Sequence, residues 1–327
     1  MNKFLVFLEQ RDGVVKNNSI DVWNLVQKFA ASLADATVMG IIAGPADILH
    51  LNGLMIGDGV IYHADQEELV LYNQVYYIRL IVDIMRQSVS NALFFADSAL
   101  SRDLAPRLSV CLKASLLSGN LLFNQSGEPN GCYLPVYSGL ATASFVPKCN
   151  LSIYQLSSRK ILTESSVGGR IDFVTFRPQY VTVEKLFPVV QRIVMLNNRL
   201  DIVDAGIIVA GGRGMGGTKG FALLEQLAAI LGGTVGASRS VVDAGVRPHA
   251  EQIGLTGKTV SPAFYFACGI SGSVQHLAGI GSAGIVVAIN NDYDAPIFDV
   301  SDYGIVGDVH VILPKLIEAV KEFLKTK

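Results

Sequence analysis

Between residues 206 and 300, each apolar run of this chain stops at a cluster of glycines or small polar residues. GIIVA runs into GGRGMGG, TVGA into SRS, AFYFAC into GISGSVQH, and GIVVAI into NNDYD. Runs this short and this rich in Val, Ile and aromatics read as strands buried on both faces. TKGFALLEQLAAILG, after the first, carries apolar residues at helical spacing, and DVHVILPKLIEAVKEFL (308–324) closes the chain as a helix. Alternation of this kind means a parallel sheet covered by helices on both sides. In such a sheet every strand ends on the same edge, where ligands bind close to a reversal of strand order. The four polar clusters are therefore expected on one edge, together. APIFDV (295–300) reads as a further strand.

The first half shows the same alternation. KFLVFLEQ (3–10), TVMGIIAG (37–44), GVIYHAD (59–65) and ALFFAD (92–97) read as strands. SIDVWNLVQKFAASLAD, with Ser19 as its cap, and the stretches 70–87 and 100–117 read as helices. After residue 120 the runs shorten to LLFNQ, YLPVYSG, TASFVP, LSIYQLSS and RIDFVTFRP, which read as an extension of the same domain by antiparallel strands. A chain of 327 residues is too long for one ordinary core. The mixed segment 181–201, with Pro188 inside it, is the expected connection. The expectation is an α/β protein of two domains, residues 1–197 and 198–327. Each has a mainly parallel sheet flanked by helices, and the C-terminal one is a doubly wound dinucleotide-binding domain.

Composition removes several function classes. Net charge is −2 with no block of like charge, so nucleic acid and anionic membrane are poor partners. The greasiest stretch, VYYIRLIVDIM (76–86), contains Arg79 and Asp83 and reads as a buried amphipathic helix, so no membrane span is expected. The four cysteines have no CxxC pair and no His at zinc spacing; free thiols and no metal are expected. The N-terminus goes straight into a strand without a targeting segment, and a prokaryotic cytoplasm fits. Half the residues are apolar and only 17% are charged, which implies surface covered by another subunit.

The clusters admit more than one chemistry. Gly212, Gly214 and Gly217 match G-x-G-x-x-G between a strand and a helix. The next strand ends in Ser238-Arg239 with no carboxylate for a ribose, which disfavours an ordinary NAD site. Thr218 stands where a P-loop needs lysine, which disfavours nucleotide triphosphate hydrolysis. Arg239 reads equally as a surface residue or a ligand contact. His276 reads as a core histidine or, beside Ser271, Ser273 and Gln275 with Gly269 and Gly272, as part of a cradle for an anion or carbonyl. Asn290 and Asp308 read equally as turn caps or ligand contacts. His50 and His63 lie away from the clusters and read as structural. No Ser/His/Asp spacing or nucleophile elbow supports a hydrolase.

AFYFACGISGSVQHLAGIGSAGIVVAINNDYDAPIFDVSDYGIVGD, preceded in order by GGRGMGG, GASRSVVDAG and IGLTGKTVSP, resembles the FAD-binding segment of electron transfer flavoprotein alpha subunits. The likeness is close over 204–327 and looser before it, where FLEQRDG, LPVYSG and VTFRP match landmarks. The resemblance implies FAD as cofactor, with contacts from Arg213, Ser238, Arg239, Ile253, Gly254, Leu255, Thr256, Ser271, Gly272, Ser273, Val274, Gln275, His276, Asn290, Asp308 and Val309. Arg239 is similar to the arginine against the isoalloxazine, His276 to the histidine near the pyrimidine carbonyl, and Thr256 to the threonine near flavin N5. A permanent guanidinium charge and fixed donors would stabilise the negative charge that a reduced flavin gathers on that edge. The family commonly reads GQTG where this chain has Gly254-Leu255-Thr256-Gly257, and Leu255 removes a side-chain hydrogen bond. His249 is a second difference, a titratable group where the family often has asparagine.

The resemblance further implies an electron carrier with no substrate reaction of its own. It would pair with a beta subunit, take electrons from acyl-CoA or related flavin-dependent dehydrogenases, and pass them to a quinone oxidoreductase or other acceptor. Two alternatives stay open: a subunit of a flavin-based bifurcating complex using NADH, and an NADP-dependent oxidoreductase with Arg239 on the ribose phosphate.

Overall fold

The computed structural model describes residues 2–48, 51, 54–137, 141–156, 169–178, 201–203, 205–281 and 283–325. The connection expected at 181–201 lies outside them up to residue 200, as does His50. The chain divides into two compact units, Met1–Pro135 with Thr142–Val194, and Met195–Lys327 with Val136–Ala141.

The first unit holds β1 (Asn2–Phe7), β2 (Gln10–Arg11), β3 (Val14–Val15), α1 (Asn17–Ala30), β4 (Ala36–Ala43), β5 (Gly59–Ala64), α2 (Gln74–Ser88), β6 (Ala92–Ala96) and α3 (Ala99–Leu112). It continues with β7 (Ser115–Phe123), β8 (Pro129–Val136), β9 (Ala141–Phe145), β10 (Ser152–Leu156) and β11 (Ile171–Thr175). Its nine-stranded sheet has the order β11-β5-β4-β1-β6-β10-β7-β8-β9. Alternation along β1 sends Phe4 and Val6 to the α1 face with Trp23 and Val26, and Leu5 and Phe7 to the α2/α3 face with Leu80 and Leu104.

Four local expectations change. The antiparallel reading beyond residue 120 holds for β7 with β8, but β10 and β11 are parallel to their neighbours. β10 sits between β6 and β7, buried throughout, and its Gln155 is accommodated by hydrogen bonds to Asp97 and Ser101. The helix expected at 100–117 ends at Leu112, where Lys113 turns left-handed (φ 53°) and releases the chain into β7. α1 starts before Ser19, because the β2–β3 hairpin closes with Lys16 N–H on the Glu9 carbonyl; the Ser19 hydroxyl instead accepts the Glu9 N–H. Pro296, which has no N–H for a sheet ladder, opens a 3-10 turn at Pro296–Val300, and the strand follows it.

The second unit holds β12 (Ile207–Gly211), α4 (Thr218–Leu231), β13 (Thr234–Ser238), α5 (Arg239–Asp243), β14 (Gln252–Ile253), β15 (Phe264–Cys268), α6 (Val274–Ile280), β16 (Ile285–Asn290), β17 (Tyr303–Val306) and α7 (Val309–Lys325). All six strands are parallel, in the order β14-β13-β12-β15-β16-β17. One face packs Val209, Val235 and Ile289 against Phe221 and Leu224 of α4 and Leu313 of α7. The other packs Ile208, Tyr265 and Ala288 against Ile280 of α6 and Ile297. This is the doubly wound arrangement expected of the C-terminal half. Among the described residues no helix is long and apolar enough to cross a membrane.

Candidate functional site

The strand order fixes where a ligand can enter. From β12 the chain winds outward through β13 and β14, then returns to the other side of β12 as β15. The reversal lies between β12 and β15, so the loops after these two strands part there and leave a crevice at the carboxyl edge. Register brings the strand ends level: Gly211 pairs with Ala237 and Cys268, and Cys268 with Ile289. The GGRGMGG, SRS, GISGSVQH and NNDYD clusters consequently share one edge.

At the reversal two glycine turns lie backbone on backbone. Gly212 N–H donates to the Cys268 carbonyl at 2.9 Å, and Gly214 N–H to the Gly269 carbonyl at 3.1 Å. A Cβ on Gly212 would stand 2.1 Å from the Gly269 oxygen, and Gly269 itself has φ 60°. No larger residue fits that approach.

The helices that follow leave their N-termini open. The N-cap residues of α4, α5 and α6 are Gly217, Ser238 and Ser273, and none makes a side-chain cap bond. In the first unit Asn73 caps α2 and a Ser98–Ser101 capping box closes α3, while α1, entered from Lys16, also lacks a side-chain cap. Three helix N-termini without a side-chain cap, each with a partial positive charge, thus line the carboxyl edge of the second sheet. Such termini suit phosphate.

The sequence-selected residues arrange around this edge. Arg213 is exposed in the glycine turn. Ser238 ends β13, its hydroxyl 3.1 Å from that of Ser240. Arg239 is mostly exposed and paired to Asp243 at 3.3 Å, an i,i+4 surface contact of little energy. Ile253 is buried beside Ser238 in the sheet, Gly254 has φ 139°, and Leu255 is 70% exposed. The Leu255 N–H donates to the Gln275 carbonyl at 2.8 Å, which ties the 253–256 segment to α6. Gly279 allows this: a Cβ there would lie 2.5 Å from Gly254 backbone.

In the GISGSVQH turn, Gly272 (φ 86°) lies against the Ile297 backbone, and the Ser271 carbonyl accepts the Ile297 N–H. Ser271, Ser273, Val274 and Gln275 are exposed. Asn290 is buried; its Nδ2 donates to the Ile270 carbonyl and its Oδ1 accepts the Asp292 N–H, so its side chain braces the turn. Asp308 accepts the His310 N–H at the start of α7, and Val309 is buried in the core that also holds Met215 of the glycine turn. His249 is exposed in a 3-10 turn before β14, and His63 meets the Gly44 carbonyl in the first unit.

His276 is the enclosed polar group of the site. It is 5% exposed, its Nε2 lies 2.9 Å from the Tyr265 hydroxyl, and burial pushes its pKa down to about 4. Its Nδ1 is buried without a formed hydrogen bond.

Three supporting residues escaped the sequence reading. Tyr265, in the middle of β15, meets His276 through the fold. Gln252, 3% exposed, donates from Nε2 to Thr256 Oγ1 at 3.1 Å, which leaves the threonine proton available to an acceptor. Arg247 grips Glu251 through both oxygens and Glu225 of α4, with its guanidinium over Phe221. Only Arg247 had a readable signal, the i,i+4 spacing to Glu251. Among the described residues no group of His, Cys, Asp and Glu could hold a metal ion.

The family model for the electron transfer flavoprotein FAD-binding domain matches residues 201–281. The chain is 34% identical to the electron transfer flavoprotein subunit alpha of Thermoanaerobacterium thermosaccharolyticum over 330 aligned positions, 97% of each chain. It is 32% identical to that of Bacillus subtilis over 98% of each. To that of Mycobacterium leprae it is 48% identical over 127 positions, 39% of this chain and 40% of the relative.

Proposed function

The chain belongs to the electron transfer flavoprotein alpha-subunit family, and from that premise we propose that it carries electrons through an FAD held at the carboxyl edge of the second sheet. FAD is the family's cofactor, and alpha subunits of the family pair with beta subunits. The finer reading is that the pair takes electrons from acyl-CoA or related dehydrogenases and hands them to a quinone oxidoreductase or another acceptor.

One observation carries the placement: the reversal between β12 and β15 coincides with three open helix N-termini and a glycine-on-glycine cradle. The residues present fit FAD. Its pyrophosphate needs backbone amides and a close approach, which the Gly212–Gly217 and Gly269–Ser273 turns offer. Its ring needs donors at a low-dielectric edge. Thr256, with its oxygen already accepting from Gln252, has a proton to give, and His276 has an enclosed nitrogen. Arg239 and Arg213 supply permanent positive charge at the mouth, and the weak Asp243 contact leaves Arg239 free to turn toward a ligand. Bound FAD supplies the one- and two-electron chemistry; the side chains bind, orient and bias charge.

The test is to co-produce the chain with its beta subunit and read the flavin spectrum of the purified pair. An acyl-CoA dehydrogenase with its substrate should then bleach that spectrum at catalytic dehydrogenase concentration. A colourless pair that takes up no added FAD would overturn the cofactor site. A yellow pair that NADH reduces and acyl-CoA dehydrogenases do not would overturn the donor assignment.

A further inference from the structure

The Tyr265–His276 contact decides which nitrogen the histidine can offer. Tyr265 is fully buried on β15, its ring in the core with Ile208, Ala288 and Ile280, and its hydroxyl is 2.9 Å from His276 Nε2. The rings meet at 6.2 Å and 54°, so the contact runs through the polar atoms rather than by stacking. Among the described residues, that nitrogen is the partner the hydroxyl meets.

Two proton arrangements are possible, and they differ in what they strand. If Nε2–H donated to the tyrosine oxygen, the phenol proton would have no acceptor and Nδ1 would be an unpaired acceptor. If the phenol donates to Nε2, its proton is satisfied and the neutral ring carries its own proton on Nδ1. A buried donor without an acceptor is costly, so the second arrangement wins. The backbone of Ile253 beside the ring favours its protonated form, an effect that burial outweighs. The ring is neutral near pH 7 because burial holds its pKa near 4.

We propose that Tyr265 is a positioning residue: its hydroxyl donates to His276 Nε2, fixes the neutral ring as the Nδ1–H tautomer, and so makes Nδ1 a hydrogen-bond donor to the flavin ring. This rests on the FAD site described above. The enclosed Nδ1–H then makes no well-formed hydrogen bond within the protein, the Ile253 backbone beside the ring notwithstanding, and a flavin carbonyl that gathers negative charge on reduction would be the stronger acceptor. The histidine contributes a fixed dipole rather than a charge.

The experiment uses the full chain with its beta subunit, labelled with 15N-histidine, in the FAD-loaded and flavin-stripped states. Ring nitrogen shifts report the His276 tautomer, assigned by loss of the signal in His276→Gln. The expected result is Nδ1–H in both states. In Tyr265→Phe the Nδ1–H signal should give way to Nε2–H or a mixture, and the first reduction potential of the flavin should fall while affinity for oxidised FAD changes little. An Nε2–H ring in the unaltered protein would overturn the proposal, whether or not the Phe variant folds. So would a Phe variant that keeps Nδ1–H and the parent potential. A pair that never takes up FAD fails the site reading instead, and its flavin-free spectrum still reports whether Tyr265 sets the tautomer.

Discussion

Gly212→Ala isolates the glycine cradle. The added methyl would stand 2.1 Å from the Gly269 carbonyl oxygen and 2.8 Å from Ile270 Cα, both backbone atoms. It falls about 0.9 Å short of the 3.0 Å that real Cβ contacts respect. No side chain can swing aside, so one turn must slide off the other. That strains the Gly212 N–H bond to Cys268 and the Gly214 N–H bond to Gly269, the two links that set the width of the crevice. Overpacking of this kind costs about 1–3 kcal/mol, a sizeable share of a stability of about 5–15 kcal/mol. Gly206→Ala is the control, because that glycine has no neighbour within 4 Å and no positive φ. It should be neutral or stabilising by about 0.4–1 kcal/mol. Urea denaturation of the flavin-free protein gives the stability, and fluorescence titration gives FAD affinity. For Gly212→Ala we expect a lower midpoint and FAD binding weaker by at least about tenfold, equivalent to about 1.4 kcal/mol. Parent affinity and parent midpoint in Gly212→Ala would show that the two turns do not form the cradle. Equal losses in Gly206→Ala would show that any methyl in this region is harmful, and the contact argument would fail.

Three further outcomes are expected. Arg239→Ala should lower the flavin's first reduction potential in a spectroscopic titration and Arg239→Lys should fall between, because lysine keeps the charge and loses the planar guanidinium; unchanged potentials would make Arg239 an ordinary surface residue. His276 has a folded pKa near 4 against 6.5 unfolded, so below pH 6.5 the unfolded chain takes up the proton first. Stability should then fall by roughly 3 kcal/mol as pH drops from 6.5 to 4, and the difference between parent and His276→Gln in urea midpoint should trace that slope. Arg247→Ala should cost about 3 kcal/mol in thermal or urea unfolding, since it removes both guanidinium bonds from the nearly buried Glu251 and uncovers Phe221, and Arg247→Lys should recover only part because it lacks the fork.

The sheets were legible where burial was deepest. β6, β12, β15 and β16 are near-continuous apolar runs because helices cover both their faces, and composition alone exposes such a strand. β17 was hidden for the opposite reason: all four of its residues are exposed at the sheet edge, while the neighbouring APIFDV run buries Ile297 and looks more like a strand. β14 is two residues long and carries no periodicity. β10 was recognised as a strand and misread in direction, because direction depends on where the chain re-enters the sheet. Its Ser152 pairs with Ala92 of β6 and Ser115 of β7, both far back in the sequence, a relation no local pattern encodes, and the buried Gln155 made it resemble a half-solvated strand.

The site divides along the same line. Glycines and exposed polar residues at strand ends are visible in sequence, because a turn that must approach another backbone or a ligand can be built from few residue types. What sets the chemistry of those residues is not visible there. Thr256 looks like a donor or an acceptor until Gln252 is seen to occupy its oxygen, and His276 looks like a titrating group until Tyr265 and the surrounding core are in place. Tyr265 precedes His276 by 11 residues, across a strand end and a glycine turn, a separation with no meaning in either helical or strand periodicity. Its own surroundings are those of any core aromatic. The cradle is thus written in local sequence, whereas the proton inventory of the cradle is written in sheet register: Tyr265 lies level with Ile208 and Val286, and that level places its hydroxyl under the first turn of α6.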